Sequence, residues 1–382
     1  MKIDYPTFAF DSELTRVIIE LERSRTVLGR GTTPPVVYRQ LKSLSQLLTS
    51  IMSARIEGNR TSIFDAVSGV AKSREDGEFD FDDGVEEILN LERAVDFIDT
   101  HAPGEPISNL FIRELHRIAV EGLRREGDRT PGAYRLGEVS IGQSLHQPPW
   151  PADVPDHMNH LIDFISEPVE PQKQLLQTAI AHHRFLWIHP FGNGNGRVAR
   201  LLTYAMLVKQ GFSSPTDYRA INPTAVFGAD RTEYYNQLEH ADSLTNDAII
   251  AWCTYLLEGL ASDVEKLTNL GDANFVTDQL LLPALERMQR SGGVTVVDAG
   301  ILSIAARKTT IAASDLSMLL PGAPATRSQA LRRLLDRHLL ERDPDNARRY
   351  HLVFSPNDFT IHLVHRFDRV GLLPRILREG LT

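Results

Sequence analysis

The residues with the clearest chemistry lie in one stretch, 189–200, which reads HPFGNGNGRVAR. Its three glycines let backbone N–H groups turn towards a ligand without side-chain obstruction, and they precede a predicted helix whose N-terminus favours an anion. Arg197 and Arg200 are three residues apart, so they share one face of the first helical turn and can bond phosphate oxygens in pairs. His189 is close enough to accept a proton from an attacking hydroxyl. The stretch therefore predicts a nucleotide phosphate site beside a general base.

Amphipathic helices are predicted on both sides of this stretch and would position it. Apolar residues recur at helical spacing across 38–57, 85–97, 107–122, 154–165, 173–188 and 197–209, and two more helices are predicted within 230–260. Residues 127–151 are rich in Gly and Pro and contain one short β-like piece, which predicts an irregular loop or a small hairpin. The predicted fold class is therefore mainly α.

Composition and charge are those of a soluble globular protein. The chain of 382 residues is 42% hydrophobic and 24% charged, and its net charge of −9 does not indicate binding to nucleic acid or membrane as a whole. A single cysteine, Cys253, excludes an internal disulfide and fits a reducing cytoplasm. The apolar runs are too short to cross a bilayer, and the first residues lack the apolar core of a secretion signal. We expect a cytoplasmic protein without membrane contact.

The stretch 189–200 resembles the signature of the Fic family, H-x-F-x-(D/E)-G-N-G-R-x-x-R, and the similarity covers roughly residues 40–260. The resemblance implies a Fic-type helical domain with a small β-hairpin flap. It also implies a nucleotidyltransferase, namely a protein adenylyltransferase, which moves AMP from ATP to a Ser, Thr or Tyr hydroxyl of a target protein or of itself. ATP would be its substrate, and Mg²⁺ or Mn²⁺ its metal ion.

Matching positions imply roles for individual residues. His189 would be the general base, and Arg200 would hold the γ-phosphate. The nucleotide-binding set would comprise Gly192, Gly194, Asn195, Gly196, Arg197, Arg200, Tyr234 and Tyr235. Which of the two tyrosines lines the adenine stays open. The flap, which would pair with the backbone of a target as an added strand, would comprise Glu138, Val139, Ser140, Ile141, Gly142 and Gln143.

One position departs from the family pattern. Asn193 stands where the family has the acid that holds Mg²⁺, and its neutral carbonyl would bind the ion more weakly than a carboxylate does. Two alternatives therefore remain beside the transferase. One is a nucleotide-binding regulator with weak or no chemistry that acts through DNA or protein; the other is an enzyme that removes AMP or transfers another phosphate group. A zinc site of His182, His183 and His189 is not favoured, because no Glu has the necessary spacing.

A second motif ends the predicted helix 38–57. The segment SARIEGN, residues 53–59, resembles the family's inhibitory motif, (S/T)-x-x-x-E-(G/N). Ser53 and Glu57 are one helical turn apart, so the hydroxyl is expected to steady the carboxylate. The resemblance implies that Glu57 binds Arg200, takes the place of the γ-phosphate and so inhibits the enzyme.

The C-terminal part resembles a winged-helix domain, with helices over 314–320 and 325–340 and a hairpin within 339–352. The second helix would contact DNA through Arg327, Arg332, Arg333 and Arg337. Protein interaction, including a homodimer, is the alternative role. The predicted domains are a helical region with the inhibitory helix (1–100), the Fic core (101–268) and the winged-helix-like domain (275–382).

Overall fold

The structure is a computed structural model that describes residues 3–28, 30–73, 79–142, 144–212 and 225–378. The chain divides into two compact units, each assembled from three segments. Unit 1 comprises Met1–Gly29, Thr49–Thr61 and Phe81–Glu265; unit 2 comprises Arg30–Leu48, Ser62–Asp80 and Lys266–Thr382. The domain limits predicted from the sequence follow contiguous stretches, so they stay a prediction.

Helices make up most of the described chain, and the predicted fold class, mainly α, is confirmed. Short 3₁₀ turns lie at Pro151–Asp153, Asn269–Gly271 and Ala313–Leu316, and a π-helical segment at Phe275–Leu281. The α-helices are α1 (Glu13–Val27), α2 (Pro35–Ile56), α3 (Ile63–Ser73), α4 (Asp83–His101), α5 (Asn109–Val120), α6 (Val154–Ser166), α7 (Pro171–Ile188), α8 (Asn195–Lys209), α9 (Ala225–Ala229), α10 (Arg231–Ala241), α11 (Asn246–Thr268), α12 (Leu282–Arg290), α13 (Val296–Lys308), α14 (Pro324–Asp336), α15 (Asp358–Arg369) and α16 (Arg375–Arg378).

The two helices that flank the stretch 189–200 form the centre of unit 1. Every residue of α8 from Arg197 to Val208 is buried, and so is every residue of α7 from Leu175 to Phe185. Helix α8 packs against α4, α5 and α7. The indole N–H of Trp252, in α11, donates to the carbonyl of Ala179 at 2.6 Å. The joint between α7 and α8 is therefore held by two helices that cannot shift without disturbing the core.

Unit 2 contains the three strands of the described chain. They are β1 (Thr310–Ile311), β2 (Leu340–Asp343) and β3 (Asn346–Leu352), paired antiparallel in the order β1-β3-β2. Leu340 faces Leu352 in the hairpin of β2 and β3. The Gln40 side chain, in the first half of α2, donates to the carbonyl of Leu352 and accepts from the N–H of Phe354, both at 2.8 Å. The beginning of α2 is thus part of this unit's own framework.

The small β-hairpin expected at the flap is not formed by the described residues. Residues 138–142 contain no strand, and Gln143 lies outside the described residues. An isolated two-stranded hairpin has marginal stability in water, and the loop here is largely exposed with no third strand beside it. Elsewhere in the described chain, no helix is both long enough and apolar enough to cross a membrane.

Candidate active site

The stretch 189–200 forms a closed turn between α7 and α8. Helix α7 ends at Ile188. The next residue, His189, adopts a left-handed backbone conformation (φ 50°, ψ 60°), and Gly194 (φ 76°) leads into α8. The Asn195 side chain accepts from the N–H of Phe191 at 3.0 Å and donates to its carbonyl at 2.9 Å. Asn195 therefore closes the loop from within, and the first N–H groups of α8 are left to face a ligand.

The imidazole of His189 is prepared to act as a base. Its Nδ1 lies 3.3 Å from the carbonyl of Leu186. Since a carbonyl can only accept, Nδ1 carries the proton and Nε2 keeps its lone pair. Burial, together with the positive charge of Arg135, lowers the pKa of His189 from 6.5 to about 4. The ring is therefore neutral at physiological pH.

Arg200 is held by both residues of the inhibitory motif. Its Nη2 lies 2.7 Å from Oε1 of Glu57, and its side chain is only 1% exposed. Its Nε donates to the Ser53 hydroxyl at 2.8 Å, and Nη2 also donates to the Ser53 carbonyl at 3.0 Å. The expectation that Ser53 steadies the Glu57 carboxylate is therefore replaced: both residues bind the same guanidinium, because Arg200 lies between them.

Glu57 covers the beginning of α8. A Cβ atom added at Gly196 would lie 2.2 Å from Oε1 of Glu57, so only glycine permits this approach. Helix α2 ends just before, and Gly58 (φ 103°) supplies the left-handed residue that the stop requires. Burial raises the pKa of Glu57, but the charges of Arg200 and Arg197 outweigh that effect and keep it below its ordinary value. The carboxylate is thus ionised beside the beginning of α8, at the place that the sequence analysis predicts for a phosphate.

A second carboxylate, not found in the sequence analysis, binds the other arginine. Glu87 Oε1 lies 3.0 Å from Nη1 of Arg197, and both side chains are buried. Glu87 Oε2 accepts from the Asn59 amide at 2.8 Å, and Asn59 directly follows the six positions of the inhibitory motif. Arg197 Nη2 also donates to the Glu126 carbonyl at 2.6 Å. Each of the two arginines is therefore paired with a carboxylate in this arrangement.

The two tyrosines of the nucleotide-binding set differ in environment. Tyr234 is buried, and its hydroxyl lies 2.9 Å from Nε2 of His182. The other ring nitrogen of His182 binds Thr203 at 2.7 Å, so the Tyr234 hydroxyl is engaged in the core. Tyr235 is 40% exposed, with the Arg231 guanidinium 5.5 Å from its ring centroid. Of the two rings, that of Tyr235 is therefore the more exposed.

The other two histidines that were considered for zinc have separate partners. His182 is fixed between Thr203 and Tyr234, whereas His183 Nε2 lies 3.0 Å from Oδ1 of Asp242. Burial lowers the pKa of both imidazoles, so both are neutral. His182 and His183 therefore serve the packing of α7 against its neighbours.

The residues around Asn193 do not fit Mg²⁺ or Mn²⁺ as protein ligands. The Asn193 Oδ1 accepts from the N–H of Gly194 at 2.7 Å, and its Nδ2 donates to the carbonyl of Gly127. The Asp128 carboxylate, which contacts this loop, accepts from the N–H groups of Asn193 and Thr130. Both oxygen donors are thus engaged in holding the loop, whereas Mg²⁺ prefers carboxylates that are free to approach it.

His116 and Asp128 support the same loop from α5 and the segment that follows it. The ring of His116 stacks on Phe191 at a centroid distance of 3.7 Å. Its Nδ1 accepts from the N–H of Gly132 at 2.9 Å, and its Nε2 donates to the Asn193 carbonyl at 3.1 Å. No motif in the sequence indicates this role; the helical position of His116 on the buried face of α5 was the available signal.

The chain is similar to known proteins in both sequence and fold. Residues 106–207 match the Fic/DOC family. A protein adenylyltransferase Fic of Nematostella vectensis is 32% identical over 174 residues, which are 44% of this chain and 38% of that protein. The Aedes aegypti protein of the same name is 27% identical over 229 residues, 58% of this chain and 42% of its own. The chain thus spans about two fifths of the length of these curated relatives.

Solved structures share the fold. A Fic family protein from Desulfovibrio desulfuricans superposes with a TM-score of 0.54 at 21% identity, covering 93% of this chain and 100% of that one. A Fic domain containing signaling protein from Bacteroides thetaiotaomicron superposes with a TM-score of 0.53 at 19% identity, covering 68% and 97%. At these identities the likeness concerns the fold alone.

Proposed function

Because residues 106–207 are a Fic/DOC family domain, we propose that this protein is a protein adenylyltransferase that moves AMP from ATP to a Ser, Thr or Tyr hydroxyl. One observation carries the proposal: the neutral base His189, whose Nε2 has no hydrogen-bond partner among the described residues, lies at the same turn as the N-terminus of α8 and its two arginines. The names of the curated relatives support it. Acceptor hydroxyls on a target protein and on the chain itself are both included.

In the proposed reaction, the turn between α7 and α8 supplies both the general base and the groups that bind the phosphates. Nε2 of His189 accepts the proton of the acceptor hydroxyl, whose oxygen attacks the α-phosphorus of ATP. The new P–O bond forms as the bond from the α-phosphorus to the bridging oxygen breaks, and pyrophosphate leaves. The N–H groups at the start of α8, including those of Gly194 and Gly196, bind the phosphate oxygens together with Arg197. Because the described residues around Asn193 do not fit Mg²⁺ or Mn²⁺, no step of the reaction is assigned here to a metal ion.

Glu57 inhibits this reaction in the proposal. Its carboxylate binds Arg200 and covers Gly196, where the γ-phosphate would otherwise be held. ATP can therefore bind productively only after Glu57 has moved. The test is incorporation of label from α-³²P-ATP by the Glu57→Gly variant, with Glu57→Gly/His189→Ala as the control. Strong labelling that requires His189 supports both the activity and the inhibition.

A regulator that only binds nucleotide and an enzyme that removes AMP are the alternatives from the sequence. Nε2 of His189 has no partner in the described part of the chain, and this favours chemistry over binding alone, because binding of nucleotide by itself does not require a neutral base beside the phosphates. The relatives' name favours transfer of AMP. Tyr235 is proposed as the adenine-lining ring and Glu138–Gly142 as the part of the described chain that docks a target.

For part of unit 2, residues 296–352, we propose a winged-helix fold, supported by the order α13, β1, α14, β2 and β3. Contact with DNA has less support in its arginines. Arg333 binds Asp298, Arg337 binds Asp358, and Arg327 donates to the carbonyls of Leu320 and Gly322. Of the three arginines on α14 and Arg337, which follows it directly, Arg332 is the one with no described partner. A homodimer and a cytoplasmic location complete the proposal, the latter supported by a single, buried, free cysteine, Cys253.

A further inference from the structure

Arg135 is a buried arginine whose guanidinium donates to backbone carbonyls. Its side chain lies in the loop between α5 and α6, and the residue is 5% exposed. Nε donates to the carbonyl of His189 at 2.8 Å, and Nη2 to those of Pro149 at 2.6 Å and Ile188 at 3.4 Å. Nη1 donates to the carbonyl of Gly137 at 3.1 Å. Burying a charge on neutral acceptors is costly, which indicates that the arrangement has a purpose.

The four carbonyls belong to two places that the proposed reaction must bring together. Two of them end α7 at the left-handed residue His189, and α7 has no basic residue of its own in its last turn. A cation at a helix C-terminus is favourable, so Arg135 supplies what α7 lacks. The other two lie at the beginning and the end of the loop 137–149, which contains the segment proposed to dock a target. The backbone N–H of Arg135 also donates to the carbonyl of Pro190 at 2.9 Å.

We propose that Arg135 is a positioning residue for AMP transfer. Its guanidinium fixes the turn that orients His189, and it also fixes both ends of the loop proposed to dock the target that carries the acceptor hydroxyl. This inference rests on the proposed function. One rigid planar group thereby sets the distance between the base and the acceptor segment, and a lysine cannot reproduce four such contacts from a single nitrogen.

The charge of Arg135 has a second effect on the base. Burial is the largest cause of the low pKa of His189, and the charges of Arg135 and His146 lower it further. The Leu186 carbonyl and the Glu57 carboxylate act in the opposite direction. A general base is active when neutral, so activity is lost as pH falls through its pKa. Loss of the charge of Arg135 would raise that pKa and move the acid limb of the rate profile upwards.

The test uses the full chain in the Glu57→Gly background, with α-³²P-ATP and the His189→Ala chain as acceptor. In Arg135→Lys the charge remains but the fork is lost, so we expect the KM for the acceptor to rise about tenfold with an unchanged acid limb. In Arg135→Gln we expect the same rise in the KM for the acceptor as in Arg135→Lys. We also expect the acid limb of the rate profile to move upwards by roughly half to one pH unit. The matched control is Arg113→Gln, because the exposed Arg113 donates to the carbonyl of Gly132, which lies in the same connection between α5 and α6 but outside the loop 137–149.

Two further measurements do not depend on transfer. NMR titration of the His189 imidazole should give a higher pKa in Arg135→Gln than in the parent. Limited proteolysis should cleave the loop 137–149 faster in both Arg135 variants. If the Glu57→Gly parent does not label, the proposed function fails, and these two measurements still decide the positioning role. Unchanged acceptor KM, unchanged His189 titration and unchanged cleavage in folded variants would overturn it.

Discussion

Replacement of Glu57 by glycine removes the carboxylate that lies 2.7 Å from Nη2 of Arg200. The Glu57 side chain is 25% exposed, so the pair is partly shielded from water. A hydrogen bond between charged groups in such a setting contributes about 1.5–3 kcal/mol. At about 1.4 kcal/mol per factor of ten, the fraction of molecules with Arg200 free for a phosphate should rise about 10- to 150-fold. The two bonds from Arg200 to Ser53 remain in the variant and keep the guanidinium in place.

Glu57→Gln separates charge from bulk. Glutamine fills the same space above Gly196 but lacks the negative charge, so it should release Arg200 only in part. We expect labelling to increase in the order wild type, Glu57→Gln, Glu57→Gly. The pKa of Glu57 lies below its ordinary value because three arginines surround it, despite the opposing effect of burial. Its contact with Arg200 is therefore fully present at neutral pH and weakens only as pH falls below the ordinary carboxyl range.

The assay is incorporation of α-³²P-AMP into the His189→Ala chain over time, at ATP concentrations below and above saturation. ATP binding by each variant is measured separately, which distinguishes loss of inhibition from a change in affinity. If Glu57→Gly and Glu57→Gln bind ATP but label no more than the wild type, Glu57 is not an inhibitor. If Glu57→Gly labels equally well without His189, the histidine is not the base.

Three further results are expected. In the Glu57→Gly background, Tyr235→Ala should raise the KM for ATP about tenfold with little change in the free energy of unfolding. Tyr234→Phe should lower the free energy of unfolding by about 1 kcal/mol and leave the KM for ATP unchanged. The reverse pattern would contradict the assignment of Tyr235 to the adenine. Asn193→Asp, in the same background, should reduce the half-saturating Mn²⁺ concentration about tenfold, measured by labelling. Burial lowers the pKa of His116 from 6.5 to about 4, so the unfolded chain binds more protons between these values and stability should fall by about 3 kcal/mol as pH drops through this window. Urea unfolding at several pH values would show this, and an equal pH dependence in His116→Phe would refute it.

Local signals explain why much of the site was predictable. The turn at 189–200 depends on glycines and on two arginines at fixed helical spacing. All of these residues lie within twelve consecutive positions. The stop of α2 at Gly58 is of the same kind, since a left-handed residue is needed where the helix ends. Such features survive in any tertiary context, so the sequence is sufficient to predict them.

Features set by long-range packing were not predictable. The partner of Ser53 is Arg200, 147 residues away in the chain, and helical spacing alone suggested Glu57 instead. Adjacent tyrosines at 234 and 235 have different environments because α10 has one face against His182 and the other towards solvent. The partners of Arg135 are backbone carbonyls, which every residue has, and therefore leave no trace in the sequence.

The division of the chain into two units has a consequence for truncation of the protein. The chain passes between the two units five times, at residues 29/30, 48/49, 61/62, 80/81 and 265/266. Helix α2 crosses from one to the other within its own length, with Gln40 in unit 2 and Ser53 in unit 1. A gene fragment encoding residues 266–382 would lack two of the three segments that build unit 2. Removal of residues 266–382 would therefore leave residues 30–48 and 62–80 without the third segment of their unit.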